Sequence, residues 1–175
     1  IVENGRAVGV AYEVNGTVGE IRADAVVNAA GMWGRELGDA AGAVVPLHAA
    51  EHFYIVTEPV AGISPTMPTL RDPESCGYFR EDTGKLLIGW FEAKGKAWGA
   101  NGIPDNFEFD ELPFDMDHVE PELERIFNRF PALGEMGIKT FFNGPESFTP
   151  DGRPYVGPAP EMPGLFIAAG MNSNG

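Results

Sequence analysis

The sequence predicts an α+β fold built on a mixed, largely antiparallel sheet. Strand patterns of alternating or aromatic residues occur near the start, in the middle and near the end of the chain. Those in the middle are short and separated by turn residues, which is typical of antiparallel strands. One clear helical periodicity follows them at residues 116–133. Helix and strand therefore share one chain, with strand in excess.

The chain begins with a predicted hairpin. Residues 7–14 alternate in polarity, and residues 17–23 form a second strand-like run. Asn15 and Gly16 between them are the pair that favours a two-residue hairpin turn.

A buried strand and a helix are predicted next. The run AVVNAAG (25–31) is nearly all apolar, as expected for a strand buried on both faces. It continues into a helical pattern in which Trp33, Leu37 and Ala41 share one face, and Gly42 is placed to end the helix.

An antiparallel sheet and an amphipathic helix are predicted in the middle of the chain. Residues 52–59, 77–81 and 85–93 are aromatic and β-branched, as strands are. The helix over 116–133 has Asp117 as its predicted N-cap. Its apolar face is formed by Val119, Leu123, Ile126, Phe127 and Phe130.

The last part of the chain is predicted as strand, ordered loop and strand. Residues 137–144 resemble a strand, and the Pro- and Gly-rich stretch after them, up to Gly164, indicates turns. LFIAAG (165–170) is predicted as a final buried strand.

Composition excludes several classes of partner. The net charge of -14 would repel nucleic acid and anionic lipid, and no apolar run is long enough to predict a membrane span. Cys76 is the single cysteine, which excludes an internal disulfide and favours a reducing, cytoplasmic location. The acidic stretch 105–117 lacks the spacing of a calcium loop, so no metal site is predicted.

Two strand ends share an Ala-Ala-Gly-Met pattern, at residues 29–32 and 168–171. Small residues at such a junction let the backbone approach a flat or phosphorylated ligand. The same pattern also occurs where a strand packs tightly under a helix. The pattern alone leaves both interpretations open.

Five motifs together resemble a known family. They are VVNAAGMW, HFYIVTEP, GYFRE, GPESFTPDGRP and AAGMNSNG, in this order. The combination resembles the FAD-dependent amine oxidoreductases of the D-amino-acid oxidase superfamily, and most closely the dimethylglycine and sarcosine dehydrogenase group. The resemblance implies oxidation of a secondary or tertiary N-methyl amine, with FAD as cofactor and a small amine as substrate.

The resemblance also implies a division of the chain. Residues 1–45 would be part of an FAD-binding domain, 46–143 a substrate-binding domain, and 144–175 a return to the FAD-binding domain. Gly144 stands near the place where monomeric sarcosine oxidases attach the flavin to a cysteine, so attachment there is excluded. The residues implied in cofactor binding are Asn28, Ala29, Ala30, Gly31, Trp33, Gly144, Gly170, Met171, Asn172, Ser173 and Gly175.

The resemblance places His52 and Tyr78 over the flavin as catalytic residues. In an extended strand Tyr54 lies on the face of His52, and Arg80 on that of Tyr78. Tyr54 and Arg80 are therefore candidate substrate-binding residues, Arg80 for a carboxylate. The alternative is that His52 and Tyr78 are satisfied core residues.

The Gly-x-Gly-x-x-Gly fingerprint of the family's ADP site does not open a βαβ unit here. We therefore expect the chain to be a part of a longer protein, inactive alone and prone to self-association. Two alternatives remain, a glycine or D-amino-acid oxidase and a non-catalytic small-molecule binding module.

Overall fold

A computed structural model describes residues 1–174 of the chain. They form two compact units. The first comprises Ile1–Ala50, Ala97–Asn106 and the described part of Glu146–Gly175, and the second comprises Glu51–Lys96 and Phe107–Pro145. No helix among the described residues is long and apolar enough to cross a membrane.

The elements follow one another in an order dominated by strands. The strands are β1 (Val2–Glu3), β2 (Arg6–Ala7), β3 (Gly9–Val14), β4 (Thr17–Arg22), β5 (Val26–Asn28), β6 (His48–Thr57), β7 (Leu70–Asp72), β8 (Gly77–Asp82), β9 (Lys85–Trp90), β10 (Ile138–Phe148), β11 (Tyr155–Pro158) and β12 (Leu165–Ala169). The α-helices are α1 (Gly34–Ala41) and α2 (Met116–Arg129), with short 3-10 helices at Gly31–Trp33 and Pro131–Glu135. The predicted α+β class is confirmed.

The predicted hairpin is formed by β3 and β4. They pair antiparallel, with Val14 opposite Thr17. Asn15 and Gly16 have φ values of 51° and 74°, the left-handed conformation that this two-residue turn requires.

A three-stranded sheet in the first unit has the order β11-β12-β5. β12 runs parallel to β5 and antiparallel to β11. The prediction that residues 25–31 are buried on both faces is wrong, because Val27 is 61% exposed. Within residues 1–174, β5 has a single neighbour in this sheet, and Val27 lies opposite the exposed Phe166 on its open face. The other face is buried with Leu165 and Ile167.

Helix α1 forms where it was predicted, and Gly42 ends it with a φ of 76°. Its predicted apolar face is wrong, since Trp33 and Leu37 are exposed and the buried residues are Gly34 and Gly38. A Cβ on Gly38 would lie 2.5 Å from Cγ2 of Val45. The helix therefore packs through its glycines, which allow a close approach that larger residues would prevent.

A five-stranded sheet forms the second unit, with the order β10-β6-β9-β8-β7. The pairs β6–β9, β8–β9 and β7–β8 are antiparallel, as the sequence predicts. Phe53, Ile55 and Ile88 on one face of this sheet are buried with Val119 and Ile126 of α2. The opposite face is the one that carries the predicted catalytic residues.

The N-cap of α2 is Asp115, not the predicted Asp117. Its carboxylate accepts a hydrogen bond from the backbone N–H of His118 at 3.2 Å. Asp117 lies in the first turn, where a negative charge is favourable beside the unpaired backbone N–H groups.

The Pro- and Gly-rich stretch after residue 144 contains more strand than predicted. β10 continues to Phe148, and Tyr155–Pro158 forms β11. Pro145 is tolerated inside β10 because this strand is at an edge of its sheet, where a missing N–H breaks no ladder.

The compact units differ from the predicted domain limits by a few residues at both boundaries, at 46–50 and 144–145, and in one longer segment. Residues 97–106 were predicted within the substrate-binding domain, but they belong to the first unit. The backbone N–H of Trp98 donates to the carbonyl of Ala49 at 2.9 Å, and that of Ile103 donates to the Glu36 carboxylate at 2.9 Å. Long-range hydrogen bonds of this kind leave no periodic signal in the sequence. Which unit serves cofactor and which serves substrate stays a prediction.

Candidate active site

The candidate catalytic residues lie on the sheet face opposite α2. His52 and Tyr54 alternate along β6 with Phe53 and Ile55, which are buried under the helix. Tyr78 and Arg80 alternate in the same way along β8 with the buried Phe79. The faces that the sequence predicts for these side chains are thus the ones they occupy.

His52 and Tyr78 form a hydrogen-bonded pair, which we call the dyad. Nε2 of His52 lies 3.0 Å from the Tyr78 hydroxyl oxygen. The two rings are stacked, with centroids 6.0 Å apart and an angle of 14° between their planes. A histidine and a tyrosine linked in this way can exchange a proton at one point on the sheet surface.

Gly89 makes this pairing possible. It lies on β9, between Tyr54 of β6 and Tyr78 of β8 in the strand register. A Cβ on Gly89 would lie 2.0 Å from Cζ of Tyr78 and 2.2 Å from its hydroxyl oxygen. Tyr78 therefore reaches His52 by lying across β9 at a position that carries no side chain. Gly89 was not predicted as a site residue, since a glycine in a strand indicates a close approach but does not identify the partner.

Phe91 completes an aromatic cluster around the dyad. Its ring centroid lies 5.1 Å from that of His52 and 5.7 Å from that of Tyr78. The guanidinium carbon of Arg71 lies 4.9 Å from the same Phe91 centroid. Neither Phe91 nor Arg71 was predicted as a site residue. Arg71 stands opposite Tyr78 in the β7–β8 register, which the sequence does not reveal.

Burial controls the charge of the dyad. It lowers the pKa of His52 to about 4, so the imidazole is neutral at pH 7. A neutral imidazole has one donor and one acceptor nitrogen, and it can therefore take up a proton.

The two predicted substrate-binding residues lie beside the dyad on the same face. Tyr54 stacks on Phe142 with ring centroids 4.4 Å apart. Burial raises the pKa of Tyr54, and nearby Glu111 acts in the same direction while Arg80 opposes it. Tyr54 is thus a neutral phenol, and Arg80 lies close enough to influence it electrostatically.

A layer of buried polar groups lies in the same unit. The Asn143 amide donates to the Glu51 carboxylate at 2.6 Å and to the Pro113 carbonyl at 2.8 Å. Lys96 lies 3.3 Å from Glu51. Burial raises the pKa of Glu92 to about 7, and repulsion from Glu122 and Glu51 adds to this effect. Glu92 is therefore a carboxyl group that is easily kept neutral.

Glu92 gives a prediction for stability against pH. Its folded pKa, about 7, lies above its ordinary value of 4.5, so its contribution to stability is present below pH 4.5 and lost as pH rises through 7. We expect Glu92→Gln to raise the thermal midpoint by roughly 2–4 °C at pH 8 and to change it little at pH 5. Thermal unfolding at the two pH values measures this. The exposed Glu108→Gln is the matched control, and an equal effect of Glu92→Gln at both pH values would contradict the assignment.

In the first unit, the two Ala-Ala-Gly segments leave the sheet at one edge. β5 and β12 are parallel neighbours, with Ile167 opposite Asn28. The segments 29–31 and 168–170 therefore lie at or just beyond the carboxyl ends of adjacent strands. In open sheets with parallel strands this is the edge where ligands bind.

Two asparagines shape this edge from within. Asn28 is fully buried, donates to the Gly34 carbonyl at 2.7 Å and accepts from the Ala30 N–H at 3.3 Å. The side chain of Asn172 accepts from the Thr149 N–H at 2.9 Å and donates to the Gly170 carbonyl at 2.5 Å. Both side chains thus fix the turns, and any ligand contact would come from the backbone around them.

The residues at this edge fit a flat, phosphorylated cofactor such as FAD. Ala29, Gly31 and Trp33 are exposed there, and a Cβ on Gly31 would meet nothing within 4 Å. Asn172 and Ser173 have φ values of 50° and 63°, and the N–H of Asn174 donates to the Met171 carbonyl at 3.0 Å, so these residues form a tight turn. The surface offers small residues and a tight turn, which permit the close backbone approach that such a ligand requires.

The remaining predicted cofactor residues have other surroundings. A Cβ on Gly170 would lie 2.4 Å from Cγ2 of Thr149, so this glycine is required by packing. Met171 is half-buried, and the Ser173 hydroxyl donates to the Glu146 carboxylate. Gly144 is buried within β10 in the second unit, and a Cβ there would lie 2.8 Å from the Phe142 ring. Gly175 lies outside the described residues. Within residues 1–174 no group of His, Cys, Asp and Glu is arranged to hold a metal ion.

The whole chain matches one protein family. Residues 1–175 match the family model described as DAO: FAD dependent oxidoreductase. The chain belongs to the DAO family. The resemblance seen in the five sequence motifs is therefore confirmed, and FAD is the cofactor on which this family depends.

Two curated relatives have names that identify an N-methyl amine as their substrate. Mitochondrial sarcosine dehydrogenase of Mus musculus is 41% identical over 157 residues, which cover 90% of this chain and 17% of that protein. The formaldehyde-forming 4-methylaminobutanoate oxidase of Paenarthrobacter nicotinovorans is 40% identical over 157 residues, covering 90% of this chain and 19% of that protein. The chain thus spans less than a fifth of the length of these relatives.

A solved structure has the same fold. L-proline dehydrogenase from P. horikoshii superposes with a TM-score of 0.74 at 22% identity, over all of this chain and 43% of that one. At this identity the match shows that the two chains share a fold.

Proposed function

We propose that this chain contributes the substrate-binding surface, and part of the flavin-binding surface, of an FAD-dependent enzyme that oxidises a secondary or tertiary N-methyl amine. Sarcosine and dimethylglycine are the expected substrates. The observation that carries the proposal is the hydrogen-bonded dyad of His52 and Tyr78 on the sheet face opposite α2. The relatives' names support the N-methyl amine as the substrate class.

The dyad would remove the proton that blocks the reaction. An N-methyl amino acid in water at pH 7 carries an ammonium group, which has no lone pair to form the C=N bond. His52 is neutral above a pKa of about 4 and shares a hydrogen bond with the Tyr78 hydroxyl. The hydroxyl oxygen can accept the ammonium proton while its own hydrogen is taken by Nε2 of His52. Because the pKa of His52 is about 4, the imidazole would not keep this proton at pH 7 and would pass it on to water, which leaves the amine with its lone pair.

The edge formed by residues 29–33 and 170–173 would hold the flavin. Small residues at Ala29 and Gly31 allow close contact, and backbone N–H groups of the turn at Asn172 and Ser173 would donate to the cofactor. When bound, FAD supplies the acceptor for the hydride and its electron pair. The side chains of Asn28 and Asn172 would keep both turns in shape for it.

Anaerobic reduction of the flavin tests this function. The full-length, flavin-loaded protein is mixed with sarcosine, dimethylglycine, glycine or D-alanine, and absorbance near 450 nm is followed. We expect the two N-methyl substrates to reduce the flavin at least about tenfold faster than the others, the discrimination that one methyl group can give. Faster reduction by glycine or D-alanine would show an amino-acid oxidase instead. No reduction by any of the four would indicate a non-catalytic binding module.

A further inference from the structure

We propose that Arg71 binds the carboxylate of the amine substrate, in place of the predicted Arg80. The inference rests on the proposed function, because it assumes that the amine lies at the dyad. The dyad would then bind the amine of the substrate, and Arg71 on the edge strand β7 would bind its carboxylate.

Arg71 lies on the same sheet face as the dyad and close to it. Arg71 stands directly opposite Tyr78 in the antiparallel register, so the two side chains project from the same face. Its guanidinium lies over Phe91 at 4.9 Å, and Phe91 contacts both His52 and Tyr78. A single aromatic ring thus separates the cation from the dyad.

The positive charge of Arg71 is not neutralised by a neighbouring carboxylate of the described residues. Among residues 1–174, Arg71 forms no ion pair with a carboxylate. The adjacent Asp72 is buried and pairs with Arg129 at 3.4 Å. The guanidinium contacts the Phe91 ring and Arg71 is exposed, so its N–H donors can reach an anion in solution. Arg71 is therefore a cation beside the dyad that has no carboxylate partner among the described residues.

Arg80 is the weaker candidate for this role. It lies on β8, two residues beyond Tyr78, and its electrostatic influence falls on Tyr54. Among residues 1–174, Arg80 also forms no ion pair with a carboxylate, so charge alone does not separate the two arginines. What favours Arg71 is its contact with Phe91, whose ring lies beside both members of the dyad.

The substrate class follows from this arrangement. A ligand with its amine at Tyr78 and its carboxylate at Arg71 is an N-methylated amino acid. The guanidinium can bind the carboxylate through two parallel hydrogen bonds, which fixes orientation as well as charge. With its amine bound at Tyr78 and its carboxylate at Arg71, the substrate would hold its N-methyl group in one fixed orientation.

Binding and kinetics of the full-length, flavin-loaded protein test the assignment. Betaine keeps the carboxylate and the methyl groups but has no lone pair on nitrogen, so it serves as an unreactive ligand for calorimetry. We expect Arg71→Met to weaken betaine binding at least about tenfold, as loss of a charged hydrogen-bond pair does. The KM for sarcosine should rise by a similar factor, while kcat changes less than about threefold. Arg71→Lys should recover part of both losses.

Controls separate this result from a general disturbance. Arg153→Met, at an exposed arginine with no assigned role in the site, is the matched variant and should leave betaine affinity and the sarcosine KM within about twofold of the parent. Tetramethylammonium, which has no carboxylate, should bind equally to the parent and to Arg71→Met. Unchanged betaine affinity and an unchanged KM in Arg71→Met would overturn the role of Arg71 while the proposed function stands. A parent protein that neither binds betaine nor oxidises sarcosine would overturn the proposed function, and the Arg71 assignment with it.

Discussion

Replacing His52 with alanine is expected to slow reduction of the flavin by sarcosine about 10²-fold or more. This is the lower range for loss of a positioned acid or base. The imidazole is the proton acceptor in the dyad, and Tyr78 has its hydroxyl 3.0 Å from it. Tyr78→Phe should act in the same direction with a smaller loss, because His52 could then act on the amine through water. Stopped-flow mixing under anaerobic conditions measures the reductive step alone.

The control for this prediction is stability. His48, at the exposed start of the same strand, gives the matched variant His48→Ala, which should reduce at the parent rate. Flavin content should survive in His52→Ala and Tyr78→Phe, since neither residue belongs to the edge proposed for the cofactor. If His52→Ala mainly lowers the melting temperature while sarcosine still reduces the flavin at the parent rate, His52 is a core residue.

Gly89→Ala is expected to lower the rate of flavin reduction about as much as Tyr78→Phe, roughly 10-fold to 10²-fold. The added methyl would lie 2.0 Å from the far end of the Tyr78 side chain, which is mobile enough to swing away. The fold should therefore survive while the hydrogen bond to His52 is lost. The rate of the reductive step and the thermal midpoint distinguish these effects.

A double-mutant cycle makes the Gly89 prediction specific. If Gly89→Ala acts by displacing the tyrosine hydroxyl, combining it with Tyr78→Phe should cost little beyond either change alone. Gly95→Ala is the matched control, since a Cβ there would meet nothing within 4 Å. Rate losses that multiply in the double variant would show that Gly89 acts by another route.

The sequence predicts the sheet of the second unit well because its signals are local. Alternation along residues 52–56 identifies which side of β6 carries His52 and Tyr54. The motif resemblance added the pairing of His52 with Tyr78, which alternation alone would not supply. Both residues indeed lie on one face, within hydrogen-bonding distance.

The rest of the site depends on contacts between distant strands. Arg71 faces Tyr78 only because of the β7–β8 register, and Gly89 matters only because a ring crosses it. Neither secondary-structure propensity nor hydrophobic periodicity predicts these two contacts. The same reason explains the wrong face of α1, where two glycines pack closely and the apolar Leu37 is exposed. Helical periodicity identifies faces that carry apolar side chains. It does not identify a helix face that is buried because its glycines allow close packing.

The parallel pairing of β5 with β12 has a consequence for how this protein is made. Val26 lies opposite Leu165, so one half of the proposed flavin edge leaves the ribosome long before the other half is synthesised. Closing such a long loop carries an entropic cost that local pairs such as β8 and β9 do not bear. We therefore expect the dyad's sheet to acquire protection from hydrogen exchange early in refolding and the flavin edge to acquire it last. The newly synthesised chain would pass through an intermediate in which the substrate surface has formed and the cofactor-binding edge has not.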